Sequence, residues 1–106
     1  MMSFTLKDVL KAKHAMSRFI VRTPRYSRRL SRILDFNVFL KLENIQVTRS
    51  FKVRGGLYYM SVKIGEAIKR GVIVASTGNH AQSIAYATSI YGIRAIIVMR
   101  HGIPRV

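Results

Sequence analysis

The feature that most constrains this sequence is a strand, helix, strand pattern in its second half. Val72-Ile73-Val74-Ala75-Ser76 is a continuous apolar run closing on a hydroxyl, and Thr77-Gly78 reads as a turn. Asn79 to about Tyr91 is compatible with a helix that places Ile84, Ala85, Ala87, Thr88 and Tyr91 on a shared face. Gly92 closes that helix as a C-cap, and Arg94-Ala95-Ile96-Ile97-Val98-Met99 is the next strand. Neither strand alternates polar with apolar residues. That predicts an α/β fold built on a βαβ unit, with parallel strands covered on both faces.

Upstream, Phe4 to about Phe19 mixes polar and apolar residues with good helix formers, Leu6, Val9, Leu10 and Ala12 among them, and predicts an amphipathic helix that Thr23-Pro24 ends. A short helix from about Ser27 to Leu34 leads into the turn-like Asp35-Phe36-Asn37. Val38-Phe39-Leu40-Lys41-Leu42 then has the β-branched and aromatic content of a strand. Glu43 to Arg49 reads as loop, and Ser50 as the N-cap of a helix from Phe51 to about Ile64. A further short helical segment from Gly65 to Arg70 precedes Gly71. There is no internal repeat, low-complexity stretch or separable linker, and 106 residues at 49% hydrophobic content suit one small globular unit.

The absence of cysteine removes disulfide frameworks and thiolate metal sites. No apolar run approaches the roughly 20 residues that cross a bilayer, and the N-terminus lacks the order of a signal peptide, so a soluble chain is expected, with the cytoplasm as default. Charge is the anomaly. Nineteen Lys and Arg against four Asp and Glu leave a formal +15, an imbalance that attracts phosphate polymers and acidic surfaces. Arg22, Arg25, Arg28, Arg29 and Arg32 form the densest cluster, and the last four would make one stripe on a helix, opposite Leu30, Ile33 and Leu34. A solvated face, or one set against an acidic partner, is the simpler reading; nucleic-acid contact is the other.

Two loops could carry chemistry. In Ser50-Phe51-Lys52-Val53-Arg54-Gly55-Gly56 a lysine stands in the first turn of a helix, where the positive end of the dipole disfavours its charge. Partial burial would add to that effect and enlarge the neutral fraction, the form that attacks an aldehyde carbon. In Ser76-Thr77-Gly78-Asn79-His80 a strand hands over to a helix, at the carboxyl end where parallel sheets bind ligands. Unpaired helix N–H groups, the hydroxyls of Ser76 and Thr77, and a closely approachable Gly78 backbone would cradle a carboxylate or a phosphate.

Together the loops resemble the threonine/serine dehydratase branch of the pyridoxal-phosphate (PLP) enzymes with the tryptophan-synthase-β fold, also called fold type II. The likeness rests on Arg22-Thr23-Pro24 with Leu30-Ser31, on Leu40-Lys41-Leu42-Glu43-Asn44-Ile45-Gln46, on Ser50 to Gly55, and on Ser76-Thr77-Gly78-Asn79-His80-Ala81-Gln82. Ile97-Val98-Met99 leading to Gly102-Ile103-Pro104-Arg105-Val106 extends it over nearly the whole chain. The resemblance implies that Lys52 forms the Schiff base with pyridoxal 5'-phosphate and later acts as base on the substrate α-carbon. Asn79 would hydrogen-bond the cofactor's 3-hydroxyl, and Phe51 would pack near its ring. Ser76, Thr77, Gly78, Asn79 and His80 would surround the substrate carboxylate. The implied reaction is α,β-elimination of water from L-threonine or L-serine, giving a 2-oxo acid and ammonia, with the cofactor as electron sink.

By the same resemblance, residues 1–50 belong to the N-terminal region of a large domain and residues 51–106 to the first part of a small one. Arg49 stands where the family usually has a small, permissive glycine, and Gly56 where alanine is common. Arg100 and His101 replace a common Pro and acidic residue. Position 77 is serine in the racemases and often alanine in the dehydratases, so Thr77 leaves elimination and racemisation both open. The family's phosphate-binding glycine cluster lies further downstream, and among the 7 glycines only Gly55 and Gly56 are adjacent. The expectation is a truncated or split dehydratase, active only with a complementary C-terminal fragment or once part of such an enzyme, with a homo-oligomer as a further partner. The alternative is a non-catalytic basic remnant that binds nucleic acid or an acidic partner.

Overall fold

The structure is a computed structural model and describes residues 3–102. Its elements are α1 (Leu6–Met16), β1 (Pro24–Tyr26), α2 (Arg28–Leu34), β2 (Phe39–Lys41), a 3-10 turn (Glu43–Ile45), α3 (Lys52–Arg70), β3 (Val72–Ala75), α4 (Asn79–Ile90) and β4 (Ala95–Val98). Ile103 to Val106, which carry the end of the resemblance, lie outside the described residues.

The core is the crossing of α3 with α4. Val53, Leu57 and Met60 follow one another at i, i+4 and i+7, Ala67 extends the same stripe, and all four are buried against Ile84 and Ala87 of α4 and against Ile93. β3 and β4 pair in parallel, Val72 opposite Ala95 through Ala75 opposite Val98, and α4 crosses between them as expected of a βαβ unit. Burial alternates along both strands. Val72, Val74, Ala95 and Ile97 turn toward the helices, while Ile73, Ile96 and Val98 are exposed, Ile73 by 73%. Among the described residues no element lies over the second face, so the strands are covered there on one face only.

Other expectations shift for local reasons. α3 runs unbroken through Gly65, where a break was expected. A mid-helix glycine costs about 1 kcal/mol relative to alanine, and the buried stripe from Val53 to Ala67 outweighs it. The helix begins at Lys52 with Phe51 in the cap position, yet the Ser50 hydroxyl still accepts from the Lys52 N–H at 3.2 Å. α1 starts later than expected because a reciprocal capping box fixes its start, the Thr5 N–H donating to the Asp8 carboxylate at 2.9 Å, and it ends at Met16, with Ser17 to Phe19 in a turn. β1 was not expected at all. It pairs antiparallel with β2, Pro24 opposite Lys41, and proline is tolerated as the first residue of an edge strand. Arg25 falls on this strand, so the four-arginine stripe reduces to Arg28, Arg29 and Arg32 on α2. On α4 the buried set is Ala81, Ser83, Ile84, Ala87 and Thr88, with Ala85 exposed. Tyr91 takes the C-cap position, and Gly92, one residue on, adopts the left-handed φ of 63° that such helix ends favour.

The radius of gyration is 16.9 Å, above the roughly 13 Å of a compact chain of about 100 residues. An open shape of this kind leaves apolar side chains of α1 and of the β3–β4 face in solvent.

Candidate active site

The loop before α3 is held from beneath. Gln46, 2% exposed, pairs with the backbone of Val21 at both ends of its amide, accepting from the N–H at 2.9 Å and donating to the carbonyl at 2.8 Å. The Arg49 N–H donates to the Gln46 carbonyl at 2.7 Å, and Arg49 itself sits at φ 51° in the left-handed region. Two residues past Lys52, Arg54 grips Glu43 with both a 2.7 Å and a 3.2 Å hydrogen bond, and Lys41 approaches the same carboxylate at 3.3 Å. The hydrogen bond from Arg54 is the main reason the Glu43 carboxyl titrates below its ordinary value. The first turn of α3 is therefore anchored to the preceding 3-10 turn.

Lys52 stands on that turn with its side chain exposed, so the partial burial considered for it is not present. Its Nζ lies 5.4 Å from the ring centroid of Phe51, also exposed. The Lys52 carbonyl accepts from the Ser83 hydroxyl of α4 at 2.6 Å, a tie between the two helices at the lysine itself.

The second loop ends β3. Ser76 Oγ accepts from the Gly78 N–H at 3.4 Å. The first bond within α4 runs from the Gln82 N–H to the Gly78 carbonyl at 3.3 Å, which leaves the N–H groups of residues 79–81 without a helical partner. A cleft of about 490 Å³ opens between α3 and α4 with β3 at its back. Lys52, Gly55, Gly56 and Tyr59 line it from one helix, His80 and Ile84 from the other.

The structure thus brings Lys52 and His80 into one cleft. Ser76, Thr77, Gly78 and Asn79 belong to the turn that leads to His80 but do not line the cleft, and neither does Phe51. Sequence reasoning missed Tyr59, although Lys52, Gly55, Gly56 and Tyr59 fall at i, i+3, i+4 and i+7 and so share one helix face. It also missed Ser83, for which no local signal exists, since its partner is 31 positions away.

Comparisons with known proteins agree with this geometry. The family model "Pyridoxal-phosphate dependent enzyme" matches residues 16–106. An L-threonine ammonia-lyase of Thermotoga maritima is 43% identical over 101 residues, which are 94% of this chain and 25% of that protein. A catabolic L-threonine dehydratase of Staphylococcus aureus is 45% identical over 103 residues, 95% of this chain and 30% of that one. Among solved structures, maize serine racemase superposes with a TM-score of 0.81 at 28% identity, covering 92% of this chain and 31% of its own. The chain spans about a quarter to a third of the length of the relatives it matches. With a lysine on the first turn of a helix, His80 in the same cleft, and a family model that matches residues 16–106, the chain belongs to the pyridoxal-phosphate dependent enzyme family.

Proposed function

We propose that this chain carries the lysine-bearing part of a threonine/serine dehydratase, an ammonia-lyase that eliminates water from L-threonine or L-serine. The observation that carries the reading is that Lys52 and His80 open into one cleft from helices joined at the Lys52 carbonyl. The residues present fit pyridoxal 5'-phosphate at its aldehyde end. Among the described residues Lys52 has no carboxylate partner, and nothing lies within 4 Å of where a Cβ on Gly55 would stand, so that side of the cleft is open to a flat ring. The donor set of the second loop, three N–H groups and two hydroxyls, is suited to a carboxylate.

In this proposal Lys52 holds the cofactor's aldehyde carbon and, when released, takes the proton from the substrate α-carbon. Asn79 donates to the cofactor's 3-hydroxyl, Phe51 packs near the ring, and Ser76, Thr77, Gly78, Asn79 and His80 hold the substrate carboxylate. When bound, the cofactor supplies an electron sink for the α-carbon. Residues 1–50 are assigned to the larger domain and residues 51–106 to the smaller. Elimination is favoured over racemisation because the relatives matched by sequence, at 43% and 45% identity, are named threonine ammonia-lyase and threonine dehydratase. A complementary C-terminal fragment or a second copy completes the site, in keeping with the bare face of β3 and β4, and the cytoplasm is the proposed compartment.

Borohydride reduction in the presence of pyridoxal phosphate, followed by mass mapping, tests the assignment. Adduct should form at Lys52 ahead of the other lysines. Labelling of those lysines with none at Lys52 would sink it.

A further inference from the structure

Both backbone polar groups of Lys52 are held by buried serine hydroxyls. Ser50, 6% exposed, accepts from its N–H at 3.2 Å, and Ser83, 0% exposed, donates to its carbonyl at 2.6 Å. The second contact is the unusual one. A hydroxyl inside a helix ordinarily turns back to a carbonyl of its own preceding turn, as Thr88 does to Ile84 at 2.8 Å. Ser83 reaches instead across the helix crossing to α3. The Lys52 carbonyl has an acceptor role within its own helix already, so the contact is additional to backbone satisfaction and uses the second lone pair.

Room for it comes from Gly56, one turn after Lys52. A Cβ at position 56 would run into the Ser83 hydroxyl and stand 2.8 Å from the Ser83 carbonyl oxygen. Only a glycine there lets α3 and α4 approach closely enough for the hydroxyl to reach Lys52. Ser83 also lies three residues after His80 on α4, on the same side of that helix. One hydrogen bond therefore fixes the lysine's backbone against the helix that presents His80.

We infer that Ser83 is a positioning residue for Lys52, with Gly56 making its space and Ser50 as the second tether. The inference rests on the reading of Lys52 as the cofactor lysine. Ser83 aims the amine into the cleft shared with His80 and sets the separation of the two loops.

The test uses the full chain with pyridoxal phosphate and a borohydride pulse, reading adduct at Lys52 relative to Lys63, an exposed lysine on the same helix. Amide exchange over residues 53–60 is followed alongside. Ser83→Ala should lower the Lys52 to Lys63 ratio about tenfold, the scale of one hydrogen bond of ordinary strength, at every pH sampled and with exchange along α3 unchanged. Ser50→Ala, at the outer tether, should lower it by a smaller factor of about three. An unchanged ratio in both variants overturns the inference while leaving the Lys52 assignment standing. A parallel fall at Lys52 and Lys63 with faster exchange also overturns it, since Ser83 would then serve folding alone. No preference for Lys52 in the unaltered chain refutes the cofactor-lysine assignment itself, and positioning with it.

Discussion

Arg49→Gly should stabilise the chain, although it deletes a whole side chain. Arg49 is one of two described non-glycine residues at positive φ, at 51°. For a residue with a Cβ, that conformation costs about 1–2 kcal/mol, because Cβ crowds the following carbonyl oxygen. Glycine removes the cost but returns about 0.5–1 kcal/mol through the greater freedom of its unfolded state. The arginine is exposed and takes part in no ion pair among the described residues, so nothing else of consequence is lost. The difference lies between about 0 and 1.5 kcal/mol, with a central gain of about 0.75 kcal/mol, or roughly 3–6 °C in midpoint for a chain of this size. Removing a cation from a +15 chain could raise stability by itself, so Arg49→Ala is the control: it removes the same charge and keeps the Cβ. Thermal and urea unfolding followed by circular dichroism give the comparison. If alanine matches glycine, the gain is electrostatic and the backbone argument is wrong; if glycine destabilises, the left-handed turn is not a source of strain.

The remaining expectations concern the supports of the same site. Gly56→Ala should cost about 1–3 kcal/mol of unfolding free energy by overpacking the α3–α4 crossing, measurable by urea titration. Gln46→Leu keeps the volume but leaves the Val21 N–H and carbonyl without partners, so a loss of about 2–3 kcal/mol is expected, with faster exchange of the Val21 amide. Glu43 titrates below its ordinary value of 4.5, so its stabilising contribution is full above that pH and is lost as pH falls through the lower, folded value. Glu43→Gln should therefore flatten the acid limb of the stability profile below pH 4.5, and an unchanged limb would show that the grip of Arg54 contributes little.

How much of this was legible in the sequence depends on the range of the forces involved. The β3–α4–β4 unit was legible because apolar runs and a terminal glycine are local signals, and Ser27 was rightly placed at the start of α2, where its hydroxyl accepts from the Leu30 N–H at 3.4 Å. Arg49 was legible as an oddity, a bulky residue where glycine is usual, and the positive φ supplies its physical meaning. The strand at Pro24–Tyr26 was not legible, since three residues carry too little pattern and the pairing with Phe39–Lys41 creates it. Continuity through Gly65 was hidden for the opposite reason: the local signal pointed to a break, and tertiary burial of Leu57, Met60 and Ala67 overrode it. Ser83 is the extreme case, because its value lies wholly in a contact with another helix.

The sheet makes a further point about what a sequence pattern encodes. Apolar residues occupy both parities of β3 and β4, yet only one parity is buried within the described residues. Ile73, Ile96 and Val98 are exposed among the described residues, so their apolar character is the pattern of a parallel sheet covered twice without the second cover. Ile73 belongs at once to that bare face and to the wall of the Lys52 cleft. The bare face of the sheet and the Lys52 cleft thus meet at one residue of β3, and Ile73→Ser would alter both while leaving the α3–α4 core in place.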